Sequence, residues 1–446
     1  MSASAAFLIA GGGLAAAKTA EALRDQGFDG RILLVGDERD LPYERPPLSK
    51  GYLQGKTGRQ KFVVHDDAWY RDHDIELRSG TAVTGIDRSG HQVTLSGGER
   101  IGYDKLLLAT GASPRRLTVP GADLDGVLYL RTVRDSERIR DTLAAVSRVA
   151  IIGAGWIGLE VAAAARAAGV RVSVLEVERQ PLLRVLGSRI ASVFADLHRD
   201  HDVDLRLGTQ VSEITGEHGK VRGVRLADGT HLEADAVVVG IGATPNTELA
   251  AAAGLEVEDG VRVGADLRTS DPDIFAAGDV ANAYHPLLDT HIRVEHWANA
   301  LNQPAVAARA MLGRDASYDR LPYFYTDQYD LGMEYTGHTP PGHNNDVVVR
   351  GDLGSREFIA FWIDDGRVTA GMNVNVWDVT DQIQALIRSG GPVDRDRLAD
   401  PGVPLHEVTA AESPARSRSD RVLRYGFHSS ASSDQTSVSW RTPRCG

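Results

Sequence analysis

A single cysteine, Cys445, stands among 446 residues, one place from the C-terminal end. That scarcity excludes a disulfide scaffold, a cysteine metal site and a redox dithiol. No stretch approaches the roughly 18–20 apolar residues that a membrane span requires. The opening MSASAAFLIAGGG has a short apolar run but no basic flank and no cleavage site. It runs straight into glycines, so it reads as a strand and not as a signal peptide. An excess of positive charge is missing as well: 61 acids against 49 Lys and Arg leave a formal net charge of −12. That balance argues against nucleic acid and membrane partners, while leaving room for a local basic face. The expected location is the cytoplasm.

Apolar residues are plentiful. At 42% hydrophobic and 25% charged, the chain can bury two or three ordinary cores and is not a disordered polymer. Two segments, Ala5 to Glu38 and Ser147 to Glu178, share one plan. Each is an apolar strand, a glycine turn, an Ala-rich helix, a glycine (Gly27 or Gly169), and a second strand ending in acid. Thr81 to Gly98 and Thr209 to Gly229 alternate as hairpins. KLLLATGA (Lys105 to Ala112) and AVVVGIGATPN (Ala236 to Asn246) read as buried strands ending in turns. From Leu321 the chain turns aromatic and β-rich, closing with a helix near Thr380 to Arg388. Past Ala411 it becomes Ser- and Arg-rich, with six Arg against three acids, and reads as a disordered tail or, less simply, a basic docking arm.

The first turn matches G-x-G-x-x-(G/A) at Gly11, Gly13 and Ala16. A tight turn, close backbone approach to pyrophosphate and close helix packing each need a small residue there. The helix N-terminus adds free N–H groups and positive dipole. Asp37 follows the next strand, where an acid binds a ribose. The second turn, Gly153, Gly155 and Gly158 around Trp156 and Ile157, is a complete match, and its acid is Glu176. A carboxylate there accepts from a free ribose hydroxyl and repels a 2′-phosphate, which favours NADH over NADPH. Arg179 and Arg184 nearby pull the other way. DIFAAGDVA (Asp273 to Ala281) reads as strand, glycine, acid and helix start. Gly278 and Asp279 thus fit either flavin binding or a plain helix N-cap. The fold class is therefore α/β, with two Rossmann-like (glutathione-reductase-type) nucleotide domains and a C-terminal α+β domain. The expected boundaries are 1–112 with 245–320 for the first nucleotide domain, 113–244 for the second, 321–411 for the third, and 412–446 for the tail.

PYERPPLSKGYL (Pro42 to Leu53), KLLLATGA, GAGWIGLE, TSDPDIFAAGDV, RVEHWANALNQ (Arg293 to Gln303) and PYFYTDQYD (Pro322 to Asp330) carry a resemblance. From Ala5 to about Val408 the chain resembles the FAD-dependent ferredoxin reductases of oxygenase and cytochrome P450 systems. It is similar also to the related apoptosis-inducing-factor-type flavoproteins. The resemblance implies that Gly11, Gly13, Ala15 and Asp37 hold the ADP half of FAD. Arg45 and Lys50 would lie along the cofactor, Val83, Thr110 and Gly111 would line its groove, and Arg131 would reach it. Gly278, Asp279, Glu295, His296, Trp297 and Tyr325 would surround the flavin. Gly153, Gly155, Trp156, Ile157, Gly158, Glu176 and Gly242 would hold NADH. Lys50 and Glu160 would pair beside the flavin as the catalytic residues; without the resemblance they read as a surface lysine and a helix-face glutamate.

Relatives often carry Trp where this chain has Tyr325, which still offers a π-face. Trp156 suits either a gate over the nicotinamide or packing between domains. The implied reaction moves hydride from NADH to FAD and single electrons onward to a [2Fe–2S] or other small ferredoxin. The implied assembly is a monomer or homodimer. Rival readings are a rubredoxin reductase, an NADH oxidase or monodehydroascorbate-type reductase, and an NADH-sensing interaction protein.

Overall fold

The computed structural model describes residues 6–340 and 342–409. Its first five-stranded sheet runs Ile274–Ala276, Lys105–Leu108, Ala6–Ala10, Arg31–Gly36, Ile75–Ser79, parallel throughout. The second runs Asp204–Arg206, Arg171–Leu175, Arg148–Ile152, Ala236–Val239, Val127–Tyr129, also parallel throughout. Parallel strands covered on both faces need continuous apolar runs, and the strand Ala6–Ala10 and its neighbours supply them. The Ala-rich helices Leu14–Asp25 and Trp156–Ala167 follow the two glycine turns. Small side chains let them lie close to their neighbours. Leu14–Asp25 packs on the helix Trp297–Met311. Both hairpin regions form, each extended to a third strand. A two-stranded ribbon, Ala112–Pro114 with Ala243–Pro245, lies where the chain passes between the two parallel sheets.

The third sheet is antiparallel, in the order Tyr323–Gln328, Leu331–Gly337, Arg367–Val374, Glu357–Asp364, Val347–Asp352. Its strand Glu357–Asp364 explains the unbroken FIAFWI run. Phe358, Ala360 and Trp362 enter one core with Val149, Ile151 and Phe194 of the second nucleotide unit. Ile359, Phe361 and Ile363 enter another with Ile383 and Leu386 of the helix Thr380–Ser389. Alternate residues point to opposite faces, so burying both faces demands apolar residues at every position.

One expectation is overturned. The helix expected after Asp273 to Ala281 is a single tight turn, Gly278–Val280, that leads into the strand Ala281–His285. That strand pairs on both sides, with Val261–Val263 and Thr290–Arg293. Gly278, at φ +79°, bends the chain, and the ladder captures the residues that would have continued a helix. The tail expected at 412–446 lies outside the described residues.

Phe194 is fully buried and meets Trp156 edge-on at 5.4 Å between ring centres. Phe194→Ala should lower stability by about 3–5 kcal/mol, read as a drop in urea midpoint. An unchanged midpoint would contradict this packing.

Candidate active site

Gly11 adopts φ +140°, and a Cβ there would sit 2.1 Å from the Ala109 carbonyl oxygen. Only glycine fits, and the backbone stays open to a phosphate. Arg45 Nη2 lies 4.0 Å from the Cβ position of Gly13. Arg45 donates to Glu38 at 2.8 Å and to the Arg131 carbonyl at 2.6 Å. Arg131 in turn meets Asp279 at 2.9 Å. A Cβ on Gly111 would lie 3.0 Å from Arg131 Nη2, and one on Gly278 3.1 Å from Ala15 Cβ. The Gly278 N–H donates to the buried Gln303 side chain at 2.7 Å. Gly11, Gly13, Ala15, Arg45, Gly111, Arg131, Gly278 and Asp279 are thus brought to one groove. Thr110 is clamped at its rim by Asn246 through bonds of 2.9 and 2.7 Å. Val83 is half-buried on the adjoining core. Asp279 is an ion-pair partner and caps no helix. A cavity of about 360 Å³ opens beside Arg131, walled also by Arg116, Asp135 and Arg138, but by none of the glycine-turn residues.

The two units differ at the end of the second strand. Strand register places Gly36 where the second unit has Glu176, since Ala10 pairs with Val35 and Ile152 with Leu175. A Cβ on Gly36 would meet Gly12 Cα at 2.7 Å, so no side chain fits. Asp37 is exposed, and Glu38 instead joins Arg45 and the Tyr43 hydroxyl. Asp37 and Glu38 thus form an acid pair at the strand end, Asp37 open to solvent and Glu38 joined to Arg45.

In the second unit, Gly153 at φ +102° would place a Cβ 2.4 Å from the Gly240 carbonyl oxygen. A Cβ on Gly158 would meet the Gly153 carbonyl oxygen at 2.1 Å, whereas Gly155 faces open space. Glu176 accepts from the Ala154 N–H at 2.7 Å and the Glu178 N–H at 2.9 Å. Its carboxylate is therefore fixed at the mouth of the turn. Arg184 is drawn to Glu178 at 2.6 Å and away from this role. Gly242 borders Arg115, and Ile157 is 44% exposed. The Trp156 ring packs against Phe194 and, at 5.0 Å, Phe324.

Three distant segments meet at Glu160, which is 4% exposed. Its carboxylate takes Lys50 Nζ at 2.7 Å, Thr326 Oγ1 at 2.5 Å and the Ser49 hydroxyl. Lys50 Nζ also lies 5.3 Å from the Tyr325 ring centre, whose other neighbour is Trp297, edge-on at 6.2 Å. Burial, aided by the negative Asp327, Glu44 and Glu160, pushes the Tyr325 hydroxyl up to about 12. His296 stacks obliquely on Phe324 at 4.5 Å, and burial pulls it down to about 4 against the attraction of Asp279. Glu295 is exposed and paired with Arg293. Two buried polar atoms here, His296 Nδ1 and Trp297 Nε1, have no hydrogen-bond partner among the described residues. Such orphans cost stability unless a bound group meets them. Ser49, Thr326 and Glu38 join these clusters, and sequence reasoning did not single them out.

The family profile described as pyridine nucleotide-disulphide oxidoreductase matches residues 6–304, and one described as reductase C-terminal matches residues 323–409. The chain belongs to the ferredoxin–NAD(+) reductases of that oxidoreductase family. It is 43% identical to the ferredoxin–NAD(+) reductase component of an anthranilate 1,2-dioxygenase system from Burkholderia cepacia, covering 90% of this chain and 98% of that one. It is 40% identical to putidaredoxin reductase from Pseudomonas putida over 92% and 98%. The crystal structure of a covalent putidaredoxin reductase–putidaredoxin complex superposes with a TM-score of 0.86 at 39% identity, over 90% of this chain and 97% of that one. A ferredoxin reductase from Rhodopseudomonas palustris gives 0.87 at 38%, over 91% and 100%. The family binds FAD and a nicotinamide dinucleotide, and the residues fit both. Each glycine turn admits a pyrophosphate, and the two orphaned side chains, clustered with Phe324 and Tyr325, offer unpaired polar atoms to a bound group.

His198 is buried and His296 half-buried, and desolvation of the rings lowers both to about 4. An unfolded histidine titrates near 6.5, so between these values the unfolded chain binds more protons and stability falls as pH falls. In flavin-free protein, His296→Phe should flatten that slope by about 1.4 kcal/mol per pH unit between roughly pH 6.5 and 4. Urea titrations at a series of pH values measure it, and an unaltered slope would be inconsistent with a neutral His296.

Proposed function

We propose that this reductase takes hydride from NADH onto FAD and hands electrons singly to a small ferredoxin serving a P450 or dioxygenase. The observation that carries the reading is the Glu160 junction. It seats a paired lysine and an aromatic wall, Tyr325 with Trp297, between two nucleotide-cradling turns. The names of the relatives, which pair the same architecture with ferredoxins and oxygenases, support it. FAD, when bound, supplies a two-electron acceptor that can release electrons one at a time. The protein supplies the rest. The first turn, Arg45, Arg131 and Asp279 anchor the dinucleotide, and Lys50 holds positive charge beside the ring. Orientation and electrostatics suffice, because hydride transfer of this kind needs no protein acid or base.

We further propose NADH over NADPH, because Glu176 is fixed by two backbone N–H groups and Arg184 is engaged by Glu178. The three large sheets support the three-domain division drawn from the sequence. The acceptor is a [2Fe–2S] or other small ferredoxin by family resemblance, met by a local basic face in spite of the net charge. The enzyme works as a monomer or homodimer, and the supply of NADH argues for the cytoplasm.

Rapid mixing of the flavin-loaded protein with NADH should bleach the flavin absorbance, followed by re-oxidation on adding ferredoxin; a flavin that stays yellow would sink the proposal. Glu176→Ala should lower kcat/KM for NADH by about tenfold, the loss of a charge-assisted ribose bond, and narrow the preference over NADPH. An unchanged ratio of the two specificities would remove Glu176 from this role.

A further inference from the structure

Beyond Glu160 the buried polar residues continue in a file that the functional reading does not use. Thr326, Gln328 and His198 are each 0–1% exposed. Gln328 Nε2 lies 3.2 Å from Thr326 Oγ1, His198 Nε2 lies 2.9 Å from Gln328 Oε1, and Tyr329 Oη lies 3.3 Å from His198 Nδ1. His201 stacks on the Tyr329 ring at 3.7 Å, closing the outer end.

The direction of every proton in this file follows from its inner end. An ionised carboxylate only accepts, so the Thr326 hydroxyl donates to Glu160. Thr326 oxygen is then free to accept from the Gln328 amide nitrogen. That leaves the Gln328 oxygen facing His198, which must donate from Nε2. Burial keeps His198 neutral, with its value lowered to about 4. Its Nδ1 is therefore bare and accepts the Tyr329 proton. Each assignment forces the next.

We propose that Thr326, Gln328 and His198 are positioning residues: a one-way file of donors that fixes Glu160, and through it Lys50, beside the flavin. This deepens the proposed function and rests on it. All four donor dipoles turn their positive ends toward Glu160. They offset its negative charge near the ring while holding its second oxygen for Ser49 and its first for Lys50 and Thr326. Polarised bonds in series strengthen one another, and a preorganised dipole in a dry site acts without reorganisation. The file also joins segments far apart in the chain: His198 on the helix Leu183–Asp200, Gln328 and Thr326 on the strand Tyr323–Gln328, and Glu160 on the helix Trp156–Ala167. The charged and titratable groups around Glu160 are Lys50, Asp327 and Tyr325, and those within the file are His198 and Tyr329.

The test compares the flavin-loaded wild type with Thr326→Val, Thr326→Ser and Gln328→Met. The flavin midpoint potential is measured by chemical reductive titration without NADH. The limiting rate of flavin reduction and the Kd for NADH are measured by rapid mixing. Thr326→Val and Gln328→Met should shift the potential negative by about 30 mV, a tenfold change for a two-electron couple. The limiting rate should fall by about tenfold while the Kd for NADH stays within about twofold. Thr326→Ser should restore both. A Thr326→Val protein with wild-type potential and rate, or a serine variant as impaired as the valine one, overturns the proposal. If Thr326→Val does not retain flavin, Gln328→Met decides on the same potential. If NADH fails to reduce the wild type, the functional reading falls, and the potential series still decides the positioning role.

Discussion

One buried carboxylate, Glu160, ties the molecule together. It projects from the helix of the second nucleotide unit and accepts from Ser49 and Lys50, which follow the first unit, and from Thr326 of the antiparallel sheet. A carboxylate taken out of water is costly unless each lone pair finds a donor. Here the donors come from chain positions more than 100 residues away on either side. The charge is therefore tolerable only when all three segments are in place, which makes the assembled site a condition of burying it.

Around that point the two nucleotide units divide their labour through small differences in the same plan. Both use glycines whose Cβ would collide with a carbonyl oxygen of the neighbouring strand, so both leave backbone bare for a pyrophosphate. They differ at the next strand end. Gly36 lies too close to Gly12 to carry a side chain, and its acid moves on to Glu38, where Arg45 and Tyr43 engage it. Glu176 keeps the strand-end place and is fixed by backbone N–H groups. One unit thus gains an arginine beside its turn, the other a bare acid.

The third sheet is more than a lid. Its strand Glu357–Asp364 puts alternate side chains into the core shared with the second unit and into the core under the helix Thr380–Ser389. Its first strand delivers Phe324 to Trp156 and His296, Tyr325 to Trp297 and Lys50, and Thr326 to Glu160. Three consecutive residues of one strand therefore touch Trp156, His296, Trp297, Lys50 and Glu160, a rigidity that loops do not provide.

The paired strand–turn–helix units, their glycines and the change of pattern near Leu321 were legible in the sequence, because period and turn chemistry are local properties of the chain. The Lys50–Glu160 pair was legible only through family resemblance, since nothing local distinguishes Glu160 from an acid on a solvated helix face. Other features were decided by tertiary contact alone. The segment after Gly278 became a strand because partners on both sides claimed it. Asp279 found Arg131, 148 residues away, instead of a helix end. Ser49, Thr326, Gln328 and His198 gained their roles from a carboxylate that none of them neighbours in sequence. Local pattern dictates which element forms and which face is apolar. Which buried polar groups meet is settled only when the sheets pack, because a hydrogen bond depends on ångström-scale positions that the packing alone determines.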